Sequence, residues 1–285
     1  MSLLRSPSEI VDYMAHHGTE KAVMPVWRLG LMAVLGGMFI GLGTLLAMEV
    51  AGGATGLAAS NPGLQKFLFG AVFPLGFIAV TLTGVDLFTS NCAGGFTAWW
   101  QGGIGSKTLT RFWVISFAGN AIGAVATAWL FGLETHLLTT DAATQYLVNI
   151  ASAKVSHPFW MTFTKGVLAN MLVCVASMQG YSAKDTFGRM LGIWFPVMAF
   201  VTLGMEHSIA NLFIIPAAMM AGADISLSQF IVGNLIPATL GNLVGGALLI
   251  GLPYALIYLP QHKKSAPVKA HEHPAAEGCV PDLVP

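Results

Sequence analysis

The segment "LGMEHSIAN", residues 203–211, decides the fold when it is set against "TGVDLFTSN", residues 83–91. Aligned, they match Gly84 with Gly204, Asp86 with Glu206 and Asn91 with Asn211, all at an offset of 120. Further along, "GNAIG" from Gly119 and "GNLVG" from Gly241 repeat a second pattern at an offset of 122. The order of these matches points to two halves related by duplication; generic packing by small residues is the competing explanation.

Both segments lie in strongly apolar surroundings. The 285 residues are 55% hydrophobic and 9% charged, whereas soluble chains carry about 25% charged residues. The 13 basic and 13 acidic residues cancel, so no global field exists to hold nucleic acid. Cys92, Cys174 and Cys279 form no C-x-x-C pair and read as small packing residues. His271 and His273 define no metal site, and no cofactor motif is present.

A bilayer core about 30 Å thick takes about 20 helical residues to cross. Six regions qualify: 26–50, 67–99, 109–133, 158–180, 187–220 and 227–259. The second and fifth are too long for one plain crossing and carry Gly, an acid and polar clusters at mid-length, so they read as broken helices. Three crossings per half is an odd number, which inserts the second half upside down. That is an inverted repeat, with halves at about 26–133 and 158–260, and such proteins place their sites near midplane where the breaks meet.

Basic residues set the orientation. Arg5, Lys21, Arg28, Lys107, Arg111, Lys184, Arg189, Lys263, Lys264 and Lys269 fall on one side, against Lys66 and Lys154 on the other. Both termini are therefore expected in the cytoplasm. Residues 1–25 lack a signal-peptide pattern and read as a cytoplasmic amphipathic segment capped by Ser8. Residues 134–157 read as a solvated loop, and 261–285 as a flexible cytoplasmic tail.

Ionisable groups inside a membrane face a protein interior or a water-filled path. Here they are Asp86, Lys165, Glu206 and His207. Asp86 and Glu206 are twins, expected to brace the breaks by accepting free backbone N–H groups. Asn91 and Asn211 are the matching amides. His207 has no twin, because Leu87 stands at its partner position, so the duplication does not require it. Thr89, Ser90 and Asn170 are short polar groups suited to lining a path or to bonding between helices. Half-helix N-termini and a protonatable histidine suit a small anion.

Four stretches, "GVDLFTSN", "KGVLANMLVCVA", "GMEHSIANLFIIP" and "NLIPATLGNLVGGALL", resemble in order and spacing the signatures of the formate/nitrite transporter family, over about residues 8–260. The resemblance implies an all-α membrane protein with an aquaporin-like protomer of six transmembrane helices, assembled as a homopentamer in the lipid of a bacterial inner membrane. It implies a central pore or proton relay at His207, Thr89 and Asn170, constrictions at Phe73, Phe77, Leu87, Phe88 and Phe200, and anion attraction by Lys154. Lys165, which reads either as snorkelling to the interface or as a second cation attracting the anion at the mouth of the path, departs from the formate branch, where an uncharged residue is expected, and Phe77 departs from the leucine expected there.

The function so implied is a pH-dependent channel for monovalent weak-acid anions, with formate first, nitrite second, and hydrosulfide or lactate behind. A water or neutral-solute channel is the rival within the same frame. An intramembrane hydrolase built on Ser208 or Ser90 with His207 lacks G-x-S-x-G, so no enzyme is expected.

Overall fold

The computed structural model describes residues 4–259, and the expected tail at 261–285 lies outside them. Within the described residues the chain is helical, apart from one isolated bridge between Leu4 and Ala183.

α1 (Pro7–Ala22) begins one residue ahead of Ser8, the expected cap. Ser6 and Glu9 close a capping box, with Glu9 accepting the Ser6 N–H at 2.7 Å. Pro7 presets φ at the first helical position, so Ser8 falls inside the helix. Val11, Met14, Ala15 and Ala22 are buried, and Gly18 sits directly on the Gly94 backbone.

Next come α2 (Val26–Gly53), α3 (Pro62–Thr83), α4 (Phe88–Trp100) and α5 (Ser106–Leu133). Asn61 caps α3 by accepting the Leu64 N–H at 3.1 Å. Asn61-Pro62-Gly63 is thus a helix start, ahead of the boundary expected at Phe67. After α6 (Asp141–Ser156) the pattern recurs as α7 (Phe159–Ser182), α8 (Thr186–Thr202), α9 (Ser208–Met220) and α10 (Gln229–Tyr258).

Among the described residues five helices, α2, α3, α5, α7 and α10, are long and apolar enough to cross a membrane, while α8 and α9 are shorter apolar helices. Large apolar side chains also cover the outside, among them Trp27, Val114, Ile122, Leu240 and Ile257. A helix apolar all round fits hydrocarbon surroundings.

The two halves pack alike. α2 lies on α5 and α7 on α10, through small residues that let backbones touch: Gly37 meets the Asn120 backbone and Gly241 that of Phe163.

The stretch 134–157 is not a solvated loop. Thr140 caps α6 by accepting the Ala143 N–H at 3.3 Å, and Ala143, Leu147 and Ala151 are buried one turn apart. Two of those three are alanines, too small to raise the local hydropathy to the level of a span. The buried stripe places Lys154 beside the second break, as the buried face of α1 places Lys21 beside the first.

Candidate functional site

Gly84 and Gly204, with φ of 75° and 67°, end α3 and α8 in the left-handed region that a side chain resists. Four residues later α4 and α9 start, leaving their first backbone N–H groups facing inward. Asn120 Oδ1 accepts the Phe88 N–H at 2.8 Å, and Asn242 Oδ1 accepts that of Ser208 at 2.9 Å. Their Nδ2 groups donate back to the Asp86 and Glu206 carbonyls, each at 2.9 Å. The asparagine of each G-N-x-x-G motif therefore pins one break to the neighbouring helix.

This corrects the expected role of the acids as acceptors for free backbone N–H groups. An amide side chain offers both a donor and an acceptor, so it bridges both edges of a break, which a carboxylate cannot do. The acids take side-chain donors instead. Asp86 accepts from Asn91 at 2.9 Å and from Ser116, with Lys21 Nζ at 3.5 Å. Glu206 accepts from Asn211 at 2.7 Å, Asn234 at 3.2 Å and Lys154 at 3.0 Å. Each carboxylate is almost wholly buried, at 0% and 1% exposure, where an unpaired charge would be costly.

His207 lies at the start of α9, 2% exposed. Its Nδ1 accepts the Ala210 N–H at 3.1 Å. Because that backbone group can only donate, the neutral ring carries its proton on Nε2. Nε2 in turn sits 3.0 Å from the Thr89 hydroxyl, which accepts. Leu87, the residue aligned with His207, could form neither bond.

Asn170 Nδ2 donates to the Thr89 carbonyl at 3.1 Å and to that of Asn242 at 2.6 Å. It thereby ties the first break to α10. A Cβ on Gly246 would come within 2.5 Å of that Nδ2, so only glycine leaves room for the amide. Asn170 Oδ1 and Ser208 Oγ are buried without a hydrogen-bond partner.

A cavity of about 310 Å³ leads to His207 from a mouth lined by Lys66, Lys154, His157 and Lys165. Phe73 and Phe200 meet edge to face at 6.1 Å within it, and Phe200 stacks on the His207 ring at 5.7 Å. Lys165 Nζ lies 2.8 Å from His157 Nε2. A smaller cavity of about 40 Å³ on the α1 side is lined by Leu87, His17, Lys21 and Tyr181. Phe77 is buried at 2% exposure. Phe88, expected at a constriction, packs edge-on against Phe117 at 5.1 Å, its N–H tied to Asn120.

Among the described residues no three His, Cys, Asp or Glu side chains group as a metal site. Outside the membrane-spanning helices, burial and then the neighbouring Lys21 push the His17 imidazole from 6.5 down to about 4. The sequence reading had not singled out Lys21, Asn120, Asn234, Asn242 or His157. The repeated G-N motif marks Asn120 and Asn242, and Asn234 opens the stretch "NLIPATLGNLVGGALL".

The buried starts of α4 and α9, joined by a hydroxyl–imidazole pair in an apolar helical shell, are what a membrane transport protein would place at its centre. The chain belongs to the formate/nitrite transporter family, whose model matches residues 8–256. It is 38% identical over 260 residues to the uncharacterized transporter YrhG of Bacillus subtilis, covering 91% of this chain and 95% of that one. It is 37% identical to a probable formate transporter of Methanothermobacter thermautotrophicus, covering 91% and 99%. Among solved structures, a pentameric formate channel with formate bound superposes with a TM-score of 0.71 at 33% identity, covering 82% of this chain and 98% of that one.

Proposed function

We propose that the protein is a pH-dependent channel for small monovalent anions of weak acids, formate first, in which His207 links anion passage to a proton. The observation that carries this is the Thr89–His207 hydrogen bond at 3.0 Å, at the end of a cavity with a cationic mouth. Formate as substrate is supported by the relative called a probable formate transporter and by the structural neighbour with formate bound. That neighbour is pentameric, which favours a homopentamer here.

In this reading α3 with α4, and α8 with α9, each make one broken crossing, giving six. The excess of Lys and Arg puts both termini in the cytoplasm of a bacterial inner membrane, with the Lys154 mouth outside. Domain boundaries follow: 1–25 inside, 26–260 as the channel, and 261–285 as a tail.

Lys154 and Lys165 draw the anion into the mouth. The Phe73–Phe200 pair then opposes a bare charge, since desolvation without a partner is costly. As the dielectric falls, the anion binds a proton more readily. The Nε2–H polarises the Thr89 hydroxyl, which donates to the anion while a proton from the water in the cavity neutralises it, so the ring itself stays neutral; Asn170 fixes Thr89, and the neutral acid passes Leu87 and Phe77. Asp86, Glu206, Asn91 and Asn211 hold the breaks in place. A proton added at His207 Nδ1 displaces the Ala210 N–H and loosens the start of α9, which offers a way to change transport mode at low pH.

Nitrite is the second substrate in order, because Lys165 replaces the uncharged residue of formate channels; hydrosulfide and lactate follow. A channel for water or neutral solutes would carry flux independent of pH. Flux of formate, nitrite, hydrosulfide and lactate, each competed against the others in proteoliposomes, tests the substrate. Formate is expected to move fastest and to be slowed most by nitrite; formate flux no faster than in empty vesicles would refute the reading.

A further inference from the structure

We infer that His157 and Lys165 form a proton-triggered capture site for small monovalent anions at the cavity mouth, distinct from the Thr89–His207 pair. The inference rests on the anion-channel reading above and adds to it a binding step with its own proton.

Lys165 Nζ lies 2.8 Å from His157 Nε2. An ammonium has only hydrogens to offer, so Nε2 accepts and the imidazole is neutral in this arrangement. His157 ends α6 in an extended conformation just ahead of Pro158, and Lys165 projects from the second turn of α7. Both side chains are half-buried and both line the larger cavity. The neutral ring gives the partly buried ammonium a partner while no anion is present.

The other titratable groups on this cavity are Lys66 from α3, Tyr146 and Lys154 from α6, Glu206 from the second break, and His207 at the inner end. Glu206 is the one carboxylate lining it, and it already accepts from Lys154, Asn211 and Asn234. A second cation at His157 therefore has no protein counter-ion.

Protonation turns His157 Nε2 from acceptor to donor. Two donors then face each other across a gap that had held a hydrogen bond, and like charges drive them apart. A small carboxylate or nitrite fits between them, one oxygen accepting from Nε2–H and the other from Lys165. Proton and anion enter together, so the mouth gains no net charge. Linkage makes the effect reciprocal: if protonation tightens anion binding, the anion raises the proton affinity of His157 by the same factor.

The test is formate uptake into proteoliposomes by wild type, His157→Asn and Lys165→Gln, with KM expressed for the formate anion. As external pH falls from about 7.5 to about 5.5, wild-type KM is expected to drop at least about fivefold. His157→Asn keeps an acceptor for Lys165 but takes no proton, so its KM should stay flat; Lys165→Gln should lose the fall at low pH. The same slope in all three proteins would overturn the capture site.

If the wild type carries no formate, the substrate reading fails instead, and the site is then read without flux. Histidine-labelled protein is titrated by NMR with and without formate or nitrite. An upward move of the His157 midpoint with either anion, absent in Lys165→Gln, upholds the site. No move with either anion overturns it.

Discussion

His207 donates from Nε2 to the Thr89 hydroxyl at 3.0 Å because the Ala210 N–H occupies its Nδ1 at 3.1 Å. One ring thus caps a half-helix from the second half of the chain and reaches the first break with its single remaining proton. The tautomer is fixed by the fold, and the proton faces the other half of the molecule.

Replacing Thr89 separates the hydroxyl from its shape. Thr89→Val keeps the volume but leaves the Nε2–H unpaired, a penalty of about 1–3 kcal/mol for a buried donor. Formate flux is expected to fall about tenfold or more, since about 1.4 kcal/mol is a factor of ten. Thr89→Ser should retain most of it. Equal flux in both variants, measured in proteoliposomes, would remove the hydroxyl from the mechanism.

The two lysine–carboxylate pairs support the breaks. Removing one partner of a buried pair costs about 3–5 kcal/mol because the other charge is stranded. Lys154→Met is expected to lower the melting temperature in detergent sharply, and the double variant with Glu206→Gln to lower it less. Lys21→Met with Asp86→Asn should behave alike, though more weakly, given the 3.5 Å separation against 3.0 Å. Simple additivity of the single changes would show that the pairs are uncoupled.

Asn120 and Asn242 bear on how far the fold was legible. The duplication, the glycines at the breaks and His207 stood out in the sequence, because a glycine or an ionisable group amid apolar residues is conspicuous. The asparagines were visible as a repeated motif, yet their action is long-range: Asn242 touches Ser208 34 residues away. Lys21 was legible only as an orientation charge, and Lys154 as that and, through the family resemblance, as an anion attractor. Their pairing depends on α1 and α6 folding back onto the breaks, and a short helix with an alanine stripe resembles a loop by hydropathy. Asn242→Leu should therefore destabilise the protein by about 1–3 kcal/mol for the stranded Ser208 N–H, and Asn242→Asp should not rescue it, because the donor side of the bridge is lost. Full stability of Asn242→Asp would contradict the bridging role.

α1 carries a pH sensor of its own. His17 is depressed from 6.5 to about 4 where it docks, chiefly by burial. The released helix therefore binds a proton more readily between those values. Docking is at full strength above about pH 6.5 and weakens as pH falls towards 4. Protease access to the segment before Met24 should rise over that interval, and His17→Gln should flatten the rise. Access that increases with rising pH would reverse the sign and refute it.

The central claim is that His207 couples anion passage to a proton, and simultaneous formate and proton fluxes in proteoliposomes test it most directly. His207→Asn offers an oxygen to the Ala210 N–H, so α9 stays capped, but it has no titrating ring. Across about pH 5 to pH 8, the wild type should move formate and protons together with a pH-dependent rate. The variant should lose both the proton flux and the pH dependence. Unchanged pH dependence with proton flux intact in His207→Asn would contradict the account.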